Sequence, residues 1–147
     1  LLAVVVSGAS QILGCIHIGH QQSGSASGRF RTDRKFIDFA SKARNYGIPV
    51  GAYHFAVPSY DLNTADAQCD GFINVLQQGF GDGDYGDLFP VVDVETPTDK
   101  SISTTALINW IDRFRKRFEK STRRRLMLYT GVFFVGMVFA GVICTIN

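Results

Sequence analysis

The chain has 147 residues, 46% of them apolar and 19% charged, with a formal net charge of +2. That composition fits one globular domain with one core and excludes a disordered tail; the small net charge excludes a global field gathering nucleic acid or anionic lipid. The charge is uneven, because eight of the 15 basic residues lie between Arg113 and Arg125. Cys15, Cys69 and Cys144 are odd in number and form no C-x-x-C pair, so neither a disulfide framework nor a zinc signature is present. Leu1 to Val6 opens the chain without an initiator Met or a basic leader, and reads as a buried element whose beginning is missing.

In chain order, Ile12 to Ile18 reads as a strand and Ser23 to Arg31, rich in Gly and Ser, as a loop. From Asp33 to Tyr46 the residues Phe36, Ile37, Ala40 and Ala43 recur at helical spacing, with Thr32 as N-cap and Gly47 as the stop. A strand over Ile48 to Phe55 follows. Asn63 or Thr64 then caps a helix whose apolar face is Ala65, Cys69, Phe72 and Leu76. Gly79 to Asp87 is a turn-rich loop, and Leu88 to Val94 is an apolar run of strand length. Ser103 caps a third helix with Leu107, Trp110, Ile111, Phe114 and Phe118 on one side, and Leu126 to Thr130 is again strand-like. The order β-α-β-α-β-α-β, with strands apolar on both faces, predicts an α/β fold with a buried parallel sheet. Open doubly wound sheets and barrels both satisfy it. A closed eight-unit barrel takes about 200–250 residues, so this length supplies only part of one.

The sharpest feature is Val91-Val92-Asp93-Val94-Glu95-Thr96-Pro97. Two carboxylates end a strand that otherwise reads as core, and residues at i and i+2 share a strand face. Unpaired ionised carboxylates are costly to bury, so this strand end either opens to solvent or does chemistry. In parallel β/α folds the carboxyl ends of strands are where active sites collect. Two close acids also repel, so one holds its proton to higher pH than the other. Glycoside hydrolysis needs such a pair, one group protonating the leaving oxygen and the other supporting the developing positive charge. A bare D-x-E also fits acids that cap a turn or bind a cation.

Further residues carry a resemblance. Gly47-Ile48-Pro49-Val50-Gly51-Ala52-Tyr53-His54-Phe55, followed by Leu88-Phe89-Pro90-Val91-Val92-Asp93-Val94-Glu95, resembles glycoside hydrolase family 25, the Chalaropsis-type lysozymes. Thr32-Asp33-Arg34-Lys35-Phe36, Trp110 and Leu128-Tyr129-Thr130-Gly131 agree in order, so the resemblance covers roughly residues 12 to 134. It implies a partial TIM-like (β/α) barrel of about four to five units over residues 1–134, with a divergent apolar tail over 135–147. It implies hydrolysis of the β-1,4 bond between N-acetylmuramic acid and N-acetylglucosamine, with peptidoglycan strands as partner, no cofactor and no metal. It also implies an extracellular or cell-wall setting, reached by secretion or by host lysis. Glu95 matches the general acid/base, and Asp93 the group that stabilises the oxocarbenium-like centre or orients the N-acetyl group. Tyr53, Phe55 and Tyr129 match aromatics lining the sugar groove, although ordinary core packing suits each equally well. The family's first strand carries an aspartate in a D-x-S segment, whereas residues 1–10 contain no acid, and residues 132–147 depart from its Trp-rich later strands. The expectation is a family member shortened at both ends.

Other signals are weaker. His17, His20 and His54 suggest a metal, and Cys15 and His17 share a strand face with His54 on the neighbouring strand, but the fourth ligand that zinc needs is not evident. Asp82, Asp84 and Asp87 place Gly86 where a calcium loop needs a ligand, so a plain turn is expected. The stretch from Arg113 to Arg125 reads as a solvated helix face, with an attraction to anionic wall polymers as the other reading, and its aromatics do not interleave as a nucleic-acid platform requires. Residues 126–146 form an uncharged run of membrane-spanning length, although the resemblance assigns Leu126 to Thr130 to a buried strand. The alternative function is a non-catalytic protein, wall-binding or membrane-anchored.

Overall fold

A computed structural model describes residues 14–17, 35–95 and 101–131. Its elements are β1 (Gly14–His17), α1 (Phe36–Asn45), β2 (Val50–Phe55), α2 (Asn63–Phe80), β3 (Val91–Asp93), α3 (Thr104–Thr122) and β4 (Met127–Tyr129). The four strands form one sheet in the order β1-β2-β3-β4, every pair parallel. Strands thus neighbour one another in chain order with no reversal, which is not the strand order of a doubly wound sheet. The Ser23–Arg31 loop, Thr32 as a cap, the 132–147 segment, His20 and Cys144 lie outside the described residues.

The core is the apolar faces of α2 and α3 laid on one side of the sheet. Ala65, Cys69, Phe72 and Leu76 of α2, and Leu107, Trp110, Phe114 and Phe118 of α3, are wholly buried, as helical spacing predicts; Ile111 is half-buried. Phe114 stacks between Trp110 and His54, with ring centroids 5.6 and 5.5 Å away. In α1 the reading is partly corrected: Phe36 and Ala40 are buried, but Ile37 is exposed, because the helix buries a narrow stripe.

Ends are set by local chemistry. The Ser103 hydroxyl accepts from the Ala106 N–H at 3.2 Å and caps α3. Gly47 ends α1 at φ +70°, a backbone that favours glycine. Neither Asn63 nor Thr64 caps α2. The helix starts at Asn63 and the preceding Asp61 carboxylate accepts from the Asn63 N–H at 2.9 Å. The Thr64 hydroxyl instead donates to the Asp61 carbonyl at 2.7 Å and accepts from the Trp110 indole N–H at 2.8 Å, tying α2 to α3.

The basic stretch is more than a solvated face. Arg113 and Arg117 reach across from α3 to Asp66 and Asp70 of α2, at 2.7 and 2.6 Å. The acidic loop before β3 also has an occupant, the guanidinium of Arg44. It pairs with Asp84 at 2.7 Å and with Asp87 at 3.0 Å, and lies 4.5 Å over the ring of Phe80. Strand β4 differs from the expected buried strand, since Met127, Leu128 and Tyr129 are all exposed. It is the outer strand of the described sheet, so its outer flank has no neighbour there. Among the described residues no helix is long and apolar enough to cross a membrane.

Phe114→Ala removes the ring shared by Trp110 and His54 and is expected to cost about 3–5 kcal/mol, the usual range for emptying a buried aromatic site. Urea unfolding checks this; a loss below about 1 kcal/mol contradicts the packing described.

Candidate active site

Register makes the site. Phe55, Asp93 and Tyr129 are Cα partners across β2, β3 and β4, so they stand side by side on one face at the carboxyl ends of three strands. The next residues inward on that face are Tyr53, Val91 and Met127. The alternate positions, His54, Val92 and Leu128, point to the other face, and there His54 and Val92 are buried under α2 and α3. Helices therefore cover one face, and the acid lies on the other.

The backbone fixes the strand ends. Ala56 N–H donates to the Asp93 carbonyl at 2.8 Å, and Val94 N–H donates to the Tyr129 carbonyl at 2.9 Å. Pairing thus extends past the last strand residues and holds the three ends level. Gln68 of α2 adds a brace that sequence reading missed. Its amide accepts from Val57 N–H at 3.1 Å and donates to the Val57 carbonyl at 2.9 Å, so its orientation is set by the backbone. The same Gln68 oxygen lies 2.9 Å from His54 Nε2, which must then be the donor. His54 is a core histidine tied to the segment leaving β2. The available signal was position: Gln68 falls three residues after Ala65, on the buried face of α2.

Asp93 is only 7% exposed, and its Oδ1 has no hydrogen-bond partner among the described residues. Burial, followed by the nearby charge of Glu95, pushes its carboxyl up to about 7. Glu95 lies two residues beyond, outside the strand and half-buried. A Cβ placed on Gly131, where the chain leaves β4, would sit 3.8 Å from Glu95 Oε2. The structure thus brings both predicted acids to one strand end and makes them electrostatically aware of each other. The carboxyl that burial pushes up is that of Asp93, whereas the resemblance makes Glu95 the acid.

The aromatics divide. Tyr129 is 54% exposed and Phe55 half-buried, both level with Asp93, whereas Tyr53 is buried one step deeper, where it packs in the sheet. Among the described residues no group of three or more His, Cys, Asp or Glu side chains converges as a metal site would. The thiol of Cys69 is wholly buried, and burial raises it to about 12, far from a reactive thiolate.

The arrangement is a parallel β/α scaffold carrying an acid pair, with flanking aromatics, at the carboxyl edge of its sheet. The sequence profile of Glycosyl hydrolases family 25 matches residues 24–143, and the chain belongs to that family. Over 85 residues it is 38% identical to an N,O-diacetylmuramidase of Arthroderma benhamiae, matching 54% of this chain and 34% of that protein. Its fold superposes on the Clostridium perfringens spore cortex lytic enzyme SleM with a TM-score of 0.77 and 64% identity, over 85% of this chain and 38% of SleM. A bacterial lysozyme from Streptomyces coelicolor superposes with a TM-score of 0.63 and 28% identity, over 90% of this chain and 57% of the other. The chain therefore spans between about a third and somewhat over half of the length of these relatives.

The sign of the Asp93 shift has a consequence for stability. In the folded chain the carboxyl loses its proton near pH 7, and in the unfolded chain near its ordinary 3.8. Between those values the folded state binds more protons, so stability falls as pH rises from about 4 to about 7 and then levels. Asp93→Asn removes that slope. Its unfolding free energy relative to the parent is expected to be higher at pH 8 than at pH 4 by about 2–4 kcal/mol. Equal differences at both pH values, in parallel urea titrations, would mean that Asp93 is not buried as described.

Proposed function

We propose that this chain is the acid-bearing part of a lysozyme-type glycosidase that hydrolyses the β-1,4 bond between N-acetylmuramic acid and N-acetylglucosamine in peptidoglycan. The observation that carries the reading is the Asp93–Glu95 pair at the carboxyl end of β3, one member of which holds a proton up to about pH 7. Family membership and the muramidase and lysozyme relatives support it. The sequential parallel order β1-β2-β3-β4 supports a partial (β/α) barrel of about four to five units. The expected setting is the cell wall or the extracellular space, where this substrate lies.

In this reading Glu95 is the general acid/base and Asp93 the stabilising carboxylate. Below about pH 7 the Asp93 carboxyl holds a proton in the open site. A glycosidic oxygen against Glu95 draws the proton to that side, leaving the negative charge on Asp93 facing the sugar. Glu95 then protonates the departing oxygen as the C1–O bond breaks, and the positive charge developing at C1 is met by Asp93 or by the substrate's own N-acetyl oxygen. Water adds at C1 and returns a proton to Glu95. Phe55 and Tyr129, level with the acids, offer apolar faces to the sugar rings; Tyr53 supports them from below.

Release of reducing ends from purified peptidoglycan tests the assignment. Glu95→Gln is expected to lower the rate by about 10³-fold or more while leaving the melting temperature in place. Unchanged release would remove Glu95 from the chemistry. Because Asp93 loses its proton near 7, kcat/KM is expected to fall as pH rises through about 7. A profile flat to pH 9 would show that this pair does not supply the proton. Tyr129→Ala is expected to raise KM by about tenfold with a smaller change in kcat, as for loss of an aromatic contact of about 1.4 kcal/mol.

A further inference from the structure

The amino ends of the same strands carry a second charged feature. Residues before β3 and before β4 enclose an open groove of about 570 Å³, lined by Asp87, Leu88, Phe89, Arg123, Arg124 and Arg125. Its Phe89 comes four residues before Asp93, in the segment entering β3, a span of roughly 13 Å at the usual rise of an extended chain. Whatever occupies it is not the bond at the acid pair.

Three observations separate these arginines from the rest. First, Arg44, Arg113, Arg115 and Arg117 each face a carboxylate within 3.0 Å, whereas Arg123, Arg124 and Arg125 have no carboxylate partner among the described residues. The one acid lining the groove, Asp87, is already held by Arg44 and by the Val50 N–H. Second, Arg124 is anchored in place. Its Nη2 donates to the Gly86 carbonyl at 3.1 Å and its guanidinium lies 6.0 Å from the Phe89 ring centroid, yet its Nε is buried without an acceptor. A buried donor left unpaired is unfavourable, so this guanidinium is held beside the groove at a cost. Third, Arg123 has φ +59° and is the lone non-glycine residue with positive φ among the described residues. A bulky cation thus occupies the left-handed C-cap of α3, a position where glycine suits the backbone.

We infer that this groove binds phosphate groups of a phosphodiester polymer, such as the anionic polymers that accompany peptidoglycan. Three neighbouring guanidiniums present more donors than the two oxygens of a carboxylate satisfy, and tetrahedral phosphate oxygens match such clusters. The groove is open and not an enclosed cavity, which admits a polymer, and the exposed ring of Phe89 gives the polymer's carbon backbone an apolar floor. The choice of a wall polymer rests on the muramidase reading; the phosphate chemistry does not. Attachment at the amino ends of β3 and β4 holds the enzyme on the wall while the carboxyl ends face the glycan.

The test is a titration of the full chain with poly(glycerol phosphate), repeated with inorganic phosphate as competitor. Arg123→Gly with Arg125→Gln is expected to weaken polymer binding by at least about tenfold and to reduce the salt slope of the affinity by about 2, with an unchanged melting temperature. Lys42→Gln with Lys120→Gln removes the same charge elsewhere and is expected to leave affinity within about twofold. Inorganic phosphate is expected to displace the polymer at lower ionic strength than sodium chloride does. No binding, equal losses in the two double variants, or displacement by the two salts at equal ionic strength overturns the proposal. Tighter binding of single-stranded DNA of equal charge overturns it too, by making the groove a nucleic-acid surface. Glu95→Gln is expected to bind the polymer like the parent, so failure of the site and failure of the muramidase reading are told apart.

Discussion

Every second side chain of a strand faces the same way, and in a parallel sheet with level registers that alternation is copied from strand to strand. In this molecule it separates two environments that cannot be mixed. His54 and Val92 go under the helices, where Phe72, Phe114 and Trp110 exclude water. Phe55, Asp93 and Tyr129 go to the opposite face. A slip of one residue in β3 would drive Asp93 into the helix layer and put Val92 beside the aromatics, destroying core and site together. The acid pair therefore depends on register before it depends on anything near it.

Register is in turn held by polar contacts away from the acids. Gln68 bridges both backbone groups of Val57 and meets His54, so α2 grips the segment leaving β2. Arg44 ties α1 to the loop entering β3 through Asp84 and Asp87, and Asp87 also accepts from Val50 N–H at the start of β2. Because that cluster is partly shielded and several hydrogen bonds share it, it holds better than an isolated surface pair. The close approach of Leu88 to Gly51 completes this end, since a Cβ on Gly51 would lie 2.7 Å from that of Leu88.

Much of this was legible in the sequence because it follows from periodicity. The buried faces of α2 and α3 repeat at helical spacing, and Val91 to Glu95 shows an apolar strand ending in acids. What was illegible depends on partners distant in the chain. Asp61 rather than Asn63 or Thr64 serves the start of α2, because Thr64 is drawn to the Trp110 indole 46 residues away. Acidic Asp84 and Asp87 looked like a turn, but their meaning comes from Arg44, 40 residues earlier. Ile37 sits at helical spacing with Ala40 and is nevertheless exposed, since spacing fixes a stripe and not its width. The pairing of two acids is equally a local pattern, but the upward shift of Asp93 is set first by burial, which no spacing records.

The two ends of β3 and β4 then carry opposite chemistry for one physical reason. At the carboxyl ends the sheet face opposite the helices holds the acid pair, and burial, with the nearby charge of Glu95, keeps a proton on Asp93. At the amino ends the last turn of α3 points its carbonyls toward the groove region, and arginines placed there are favoured by the negative end of the helix dipole. That preference offsets some of the mutual repulsion of Arg123, Arg124 and Arg125 in the absence of a ligand. It does not supply the missing acceptor of Arg124 Nε. A polyanion meets these arginines without altering the fold, because the groove and the anchoring bond to Gly86 are already in place. Strands that are only three residues long thus set a cation cluster and an acid pair far enough apart that neither neutralises the other.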